Sequence, residues 1–287
     1  MDDADWRRAV VLSKMAVSAL VLAGSRPGPD PLLAGTGLPS KALLPIAGVP
    51  MLARVLSSLQ SAPDVGQITV VAQDTAPLAA DPQIASAAAG VAWRESPGSI
   101  ADAVRAAIET ANGPLFVTTA DNVLLTPAMV AQFLTEAAGS DVAVGLVERR
   151  AVTAAGHSTQ RTWLKFRGGQ WSGANLFYLG GPQVLPLVEF WRGLEQDRKK
   201  GMKIVGAVGP LMLLGALLRL IDIHTLAARV ARRFQLSGKV VAMEAAEACV
   251  DADKPADIPV VEAILARRQA APSASSTAAN ASASSSS

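Results

Sequence analysis

Apolar residues follow two spacings along the chain, and the alternation between them predicts a fold. Val17 to Ala23 (VSALVLA) is a short, nearly continuous apolar run stopped by Gly24, the pattern of a strand buried on both faces that enters a turn. Gln67–Ala72, Val91–Arg94, Leu115–Thr119 and Asp141–Val147 repeat it. Between these runs, apolar positions recur at helical spacing. One helix is expected from Pro50 to Gln60, and a second from a Ser99 cap, with Asp102 three residues on, to Ala111. A third begins at Thr126-Pro127, where a capping threonine meets a proline at the first helical position. Thr162–Leu179 reads as two strands joined through Gly168-Gly169, Val240–Met243 as a late strand, and the stretch after Asp257 as a helix ending near Arg268.

Strands alternating with helices imply a three-layer α/β/α architecture around a mostly parallel mixed sheet. Residues 16–268 are read as one such domain, with a helical insertion over 182–239, after a leader at 1–15. Residues 269–287 are almost all Ala and Ser and are expected to be disordered. The segment from Gly24 to Lys41 holds four glycines and four prolines, too many breakers for a regular element, and is read as a long loop.

Composition narrows the chemistry. Half of the 287 residues are apolar, and 26 basic against 24 acidic residues leave a net charge of +2, too weak a field for a nucleic-acid partner. One cysteine, Cys249, and two histidines make neither a disulfide nor a zinc site. The N-terminus has no signal-peptide pattern, so a cytoplasmic protein is expected. The most apolar later segment, Ile204 to Leu218, is 15 residues long and contains Pro210 and three glycines, too short and broken to span a bilayer. Its basic flank, Arg198, Lys199, Lys200 and Lys203, is compatible with an anionic membrane surface, but buried helices covering a pocket are the favoured reading.

Open parallel sheets bind ligands beyond the carboxyl ends of their strands. Three segments converge there: the Gly24–Lys41 loop after the first strand, Asp121 after the fourth, and Asp253 near the last helix. Loop amides and a lysine suit phosphate oxygens, and two carboxylates suit a hard divalent cation such as Mg²⁺. The loop is neither a P-loop, because Ser40 precedes Lys41 and Ala42 follows it, nor a dinucleotide fingerprint, because Ser40 stands where the third glycine belongs.

Leu22-Ala23-Gly24-Ser25-Arg26, followed by Ser40-Lys41-Ala42-Leu43-Leu44-Pro45-Ile46-Ala47-Gly48-Val49-Pro50-Met51, resembles the GT-A-type nucleotidyltransferases that act on sugar phosphates and the molybdenum cofactor. Pro97-Gly98-Ser99, Ala120-Asp121-Asn122, Gly173-Ala174-Asn175 and Asp251-Ala252-Asp253-Lys254-Pro255-Ala256-Asp257 extend the resemblance over about residues 16–268. The chain departs from it at Ser25-Arg26-Pro27 and at Ser40, where relatives carry proline.

The resemblance implies a Mg²⁺-dependent transfer of NMP from an NTP to a phosphorylated acceptor, with pyrophosphate released. It implies nucleotide contacts from Leu22, Ala23, Gly24, Arg26, Lys41, Gly98 and Ser99, metal ligation by Asp121 and Asp253 with Asp251 as the alternative to Asp253, and acceptor contacts from Asn175 and Arg161. Lys41, Asp121 and Asp253 are the expected catalytic set. Each has a plain structural alternative, as turn cap, helix-end carboxylate or solvated lysine. At the level of the whole chain, the alternatives are a glycosyltransferase of the same fold using a nucleotide-sugar and a non-catalytic, membrane-docked scaffold.

Overall fold

The computed structural model describes residues 16–25, 28–156, 161–196 and 219–270. The leader, Arg26, the apolar segment Ile204–Leu218 with its basic flank and nearly all of the Ala/Ser tail lie outside the described residues.

The strands are β1 (Val17–Leu22), β2 (Pro45–Ile46), β3 (Val49–Pro50), β4 (Val65–Ala72), β5 (Ala92–Glu95), β6 (Leu115–Thr119), β7 (Val142–Glu148), β8 (Leu164–Phe166), β9 (Gly169–Leu179) and β10 (Gly238–Ala242). Eight form one sheet in the order β10-β7-β9-β6-β1-β4-β5, with β8 paired to β9. All its strands share one direction except β9, which runs antiparallel to β6, β7 and β8. The carboxyl ends of β1, β4, β5, β6 and β7 therefore lie along one edge.

Apolar runs are needed because both faces are covered. Along β1, Ala19 and Val21 enter one core and Leu20 the other, and β4 and β6 alternate in the same way. Helices Met51–Gln60, Pro127–Ala137 and Asp257–Ala270 cover the first face; Ile100–Thr110, Leu185–Gln196 and Ile223–Arg233 cover the second. The last two fall in the expected insertion, and Val184, Val188 and Ala231 pack there with Leu20, Val71 and Val117. They are a layer of the sandwich. No helix among the described residues is long and apolar enough to cross a membrane.

Among the described residues, expected strands and helices lie within two residues of their positions, with several short additions and one extension. The Gly24–Lys41 segment carries two single 3₁₀ turns, Pro31–Leu33 and Lys41–Leu43, each capped by the residue before it. Pro45–Pro50 closes as a hairpin with Ala47 and Gly48 at positive φ of 47° and 76°. Short helices at Ala76–Ala80, Pro82–Ala87 and Arg149–Ala154 are too brief for apolar periodicity to register. The final helix runs through Ala270, so residues 269 and 270 are helical, not tail.

Asp222 caps Ile223–Arg233 by accepting from the Thr225 amide and hydroxyl, both at 2.8 Å. Those bonds stabilise the carboxylate and lower its pKa from 3.8 to about 2. Its stabilising effect is thus complete above the ordinary value and is lost as pH falls toward 2. Asp222→Ala is expected to cost about 1 kcal/mol at neutral pH by chemical denaturation. The difference from the parent should shrink as pH falls from 3.8 toward 2.

Candidate active site

Lys41 opens the 3₁₀ turn that ends the long loop. The Ser40 hydroxyl accepts from the Ala42 amide at 3.2 Å, and Ala42 is fully buried, so the lysine's backbone is fixed to the core. Its ammonium donates to Asp121 Oδ2 at 2.6 Å and to Asp253 Oδ1 at 3.2 Å. Burial alone would lower the Lys41 pKa, but the two carboxylates outweigh it and hold the pKa above its ordinary value. The group is therefore a cation at every physiological pH, with one donor left.

Asp121 sits just beyond β6. Thr119 donates its hydroxyl to Asp121 Oδ1, which leaves Oδ2 for Lys41. The Ala252 amide donates to the Asp121 carbonyl at 3.1 Å, binding the Asp251–Asp253 stretch to the end of β6. Side chains of Lys41 and Asp121 are 16% and 12% exposed, against 49% for Asp253, so the cluster opens to solvent on the Asp253 side.

Asp251 is occupied differently. Arg161 engages both of its oxygens, one contact being 3.0 Å from Nη2, and Asn175 donates to Oδ2 at 3.0 Å. Asp253, not Asp251, shares the ammonium with Asp121. Asn175 stands at positive φ, 54°, in a bulge of β9 opposite β7, where Gly145 makes room for Leu176. Neighbouring Asn122 is buried and donates to the Ala174 carbonyl at 3.1 Å, holding β9 against the end of β6.

The nucleotide-side residues are spread along the edge. The Leu22 carbonyl and Ala23 amide are used in pairing with Ala120 and Val71. Gly24 lies so close to Gln73 that a Cβ would stand 2.7 Å from Oε1. Gln73 clamps the loop's entrance, accepting from the Ser25 amide at 3.0 Å and donating to its carbonyl at 2.9 Å. Gly98 and Ser99 follow β5, two strands from β1, about 10 Å away. The Ser99 amide and hydroxyl are both bonded to Asp102, so the expected capping box forms. Arg192, 2.6 Å from Asp102, ties that turn to helix Leu185–Gln196.

Thr119, Gln73 and Arg192 were not among the sequence candidates. Thr119 precedes Asp121 by two residues and could have been noticed; Gln73 and Arg192 act through contacts that no local pattern announces. Cys249 is buried, which pushes its thiol up to about 11 and leaves it unreactive. His224 stands edge-on to Trp171 away from this cluster, with ring centroids 5.6 Å apart, and His157 lies outside the described residues.

Residues 19–189 match the model of the MobA-like NTP transferase domain, well over half of the chain. The chain belongs to that family. It is an enzyme of the nucleotidyltransferase class. The matched stretch holds Lys41, Asp121, Arg161 and Asn175 and stops before Asp251 and Asp253. Among solved structures, a hypothetical transferase from Thermus thermophilus is 26% identical with a TM-score of 0.71, over 85% of this chain and 100% of that one. CMP:2-keto-3-deoxy-manno-octonic acid synthetase in complex with CTP shares the fold at 14% identity and a TM-score of 0.53, over 88% of this chain and 99% of that one. So does 4-diphosphocytidyl-2C-methyl-D-erythritol synthase from Anaerococcus prevotii, at 8% and 0.57, over 90% and 99%. No curated protein matches the chain. Family membership sets aside the glycosyltransferase and the non-catalytic scaffold.

Proposed function

We propose that the protein transfers a nucleoside monophosphate from an NTP to a phosphorylated small-molecule acceptor in a Mg²⁺-dependent reaction. The observation that carries this is the convergence of Asp121 and Asp253 on one ammonium at the sheet's carboxyl edge, beside the loop that follows β1.

Two carboxylates within 2.6 and 3.2 Å of a single cationic atom are already arranged around one point of positive charge. That suits Mg²⁺, which takes one or two carboxylates and completes its shell with water and phosphate oxygens. Asp121 and Asp253 would hold it, while Asp251 is committed to Arg161 and Asn175. Held by these two carboxylates, the ion would neutralise charge on the donor phosphates.

The acceptor's phosphate is the nucleophile. Its second pKa is about 6, so an oxygen is anionic at neutral pH and needs no general base. That oxygen attacks the donor α-phosphorus, the bond from this phosphorus to the bridging oxygen breaks, and pyrophosphate leaves with the electron pair. Lys41 offsets triphosphate charge, Thr119 orients Asp121, and Arg161 and Asn175 hold the acceptor side of the site through Asp251. Positioning and charge neutralisation supply most of the catalysis of such a transfer, which accords with a site that, among the described residues, brings together no Ser/His/Asp or Cys/His set. An NTP donor and a lone buried thiol suit the cytoplasm.

The test is pyrophosphate release with ATP, GTP, CTP and UTP in turn, against pooled phosphorylated acceptors, with and without EDTA. One NTP should support acceptor-dependent release that EDTA abolishes. Release unaffected by EDTA removes the metal; none with any NTP removes the transfer.

A further inference from the structure

A second charged region lies on the same side of the sheet and takes no part in the steps above. Helix Arg149–Ala154, the β8–β9 hairpin and Arg219 enclose an open cleft of about 740 Å³, a volume suited to a small organic ligand. Four cations line it, Arg149, Arg150, Lys165 and Arg219, against a single acid, Glu148. Glu148 is spent on Arg150, whose Nε lies 2.8 Å away, and Arg150 also donates to the Gly168 carbonyl at 2.7 Å. Arg149 is held by Gln170 at 2.9 Å and by the Trp163 ring, 5.8 Å from its guanidinium carbon to the centroid. Among the described residues no acid pairs with Lys165 or Arg219. Gathering like charges in a concave surface is unfavourable without a counter-charge, and an anion would supply one.

Its position says which anion. The stretch 161–165 begins at Arg161, in the Asp251 network, passes Trp163 under Arg149, and ends at Lys165 in the cleft. Four residue steps reach at most about 14 Å. Because β9 runs antiparallel, Trp171 pairs with Glu148 while Asn175 lies level with the end of β6. The hairpin therefore stands beyond the carboxyl edge of β6 as a wall leading from the reaction centre to the cleft. Resting on the transfer reading above, we propose that the cleft binds a second anionic group, phosphate or carboxylate, at the far end of the acceptor. The acceptor would then carry two anions: one that attacks the donor and one that is gripped by Arg149, Lys165 and Arg219.

The site is tested without turnover by titrating inorganic phosphate calorimetrically. Phosphate should bind the parent and Lys41→Ala alike, and at least about tenfold more weakly to Arg149→Gln/Lys165→Gln, the scale of losing charge-assisted hydrogen bonds. Lys165→Gln alone, an exposed change that spares the fold, should show a smaller loss, and Arg232→Gln, at the far end of helix Ile223–Arg233 and outside the cleft lining, none. Undiminished affinity in the double variant, or no binding to the parent, overturns the site. Its role is tested with glucose 1-phosphate and glucose 1,6-bisphosphate as competitors of pyrophosphate release by the acceptor pool. The bisphosphate should inhibit at least about tenfold better in the parent, with the advantage gone in the double variant. Equal inhibition by both overturns the acceptor assignment. If no pool supports release, the transfer reading fails instead, and the phosphate titration still decides the site.

Discussion

Asp121→Asn is expected to lower nucleotidyl transfer by at least about a hundredfold, equivalent to roughly 3 kcal/mol of transition-state stabilisation, while the protein stays folded. The amide keeps the shape of the side chain and can still accept from Thr119. It removes one of the two charges that, in the proposed reaction, would hold Mg²⁺. The fold should survive because Lys41 retains Asp253 at 3.2 Å, so no cation is left without a counter-charge at this half-open site. Steady-state pyrophosphate release gives the first quantity and thermal unfolding the second. Parental turnover in a folded Asp121→Asn protein would remove Asp121 from the chemistry.

Lys41→Ala is expected to raise the NTP dissociation constant at least about tenfold, since hydrogen bonds from a charged group contribute roughly 1.5–3 kcal/mol. The acceptor constant should change much less. Because the Lys41 pKa lies above its ordinary value, the parent's NTP affinity should show no loss of the lysine charge as pH rises through the neutral and mildly alkaline range. Calorimetry in the presence of Mg²⁺ measures both constants. Unchanged NTP affinity in Lys41→Ala would make the lysine a structural partner of Asp121 and nothing more. The two substitutions therefore separate donor binding from the transfer step.

Much of the architecture was written in local pattern. Continuous apolar runs such as Val17–Leu22 and Leu115–Thr119 announce strands buried on both faces, because a two-sided sheet leaves no solvent face for polar residues to occupy. The Ser99 cap with Asp102 is equally local, since it satisfies amides one turn away. The motif around Lys41 and the positions of Asp121 and Asp253 named candidates for the site. Their assembly was not local: Asp121 and Asp253 lie 80 and 212 residues from Lys41, and Arg161 lies 90 from Asp251. Which carboxylate meets the lysine depends on the Ala252 amide bonding the Asp121 carbonyl and on Arg161 claiming Asp251, contacts made only when the chain after β10 returns to the end of β6. Strand order, the reversed direction of β9 and the Gln73 clamp on Ser25 likewise depend on which segments pack together. Hydrophobic spacing within a segment states that it will be buried and in which secondary structure; the partner that buries it is chosen by the whole chain.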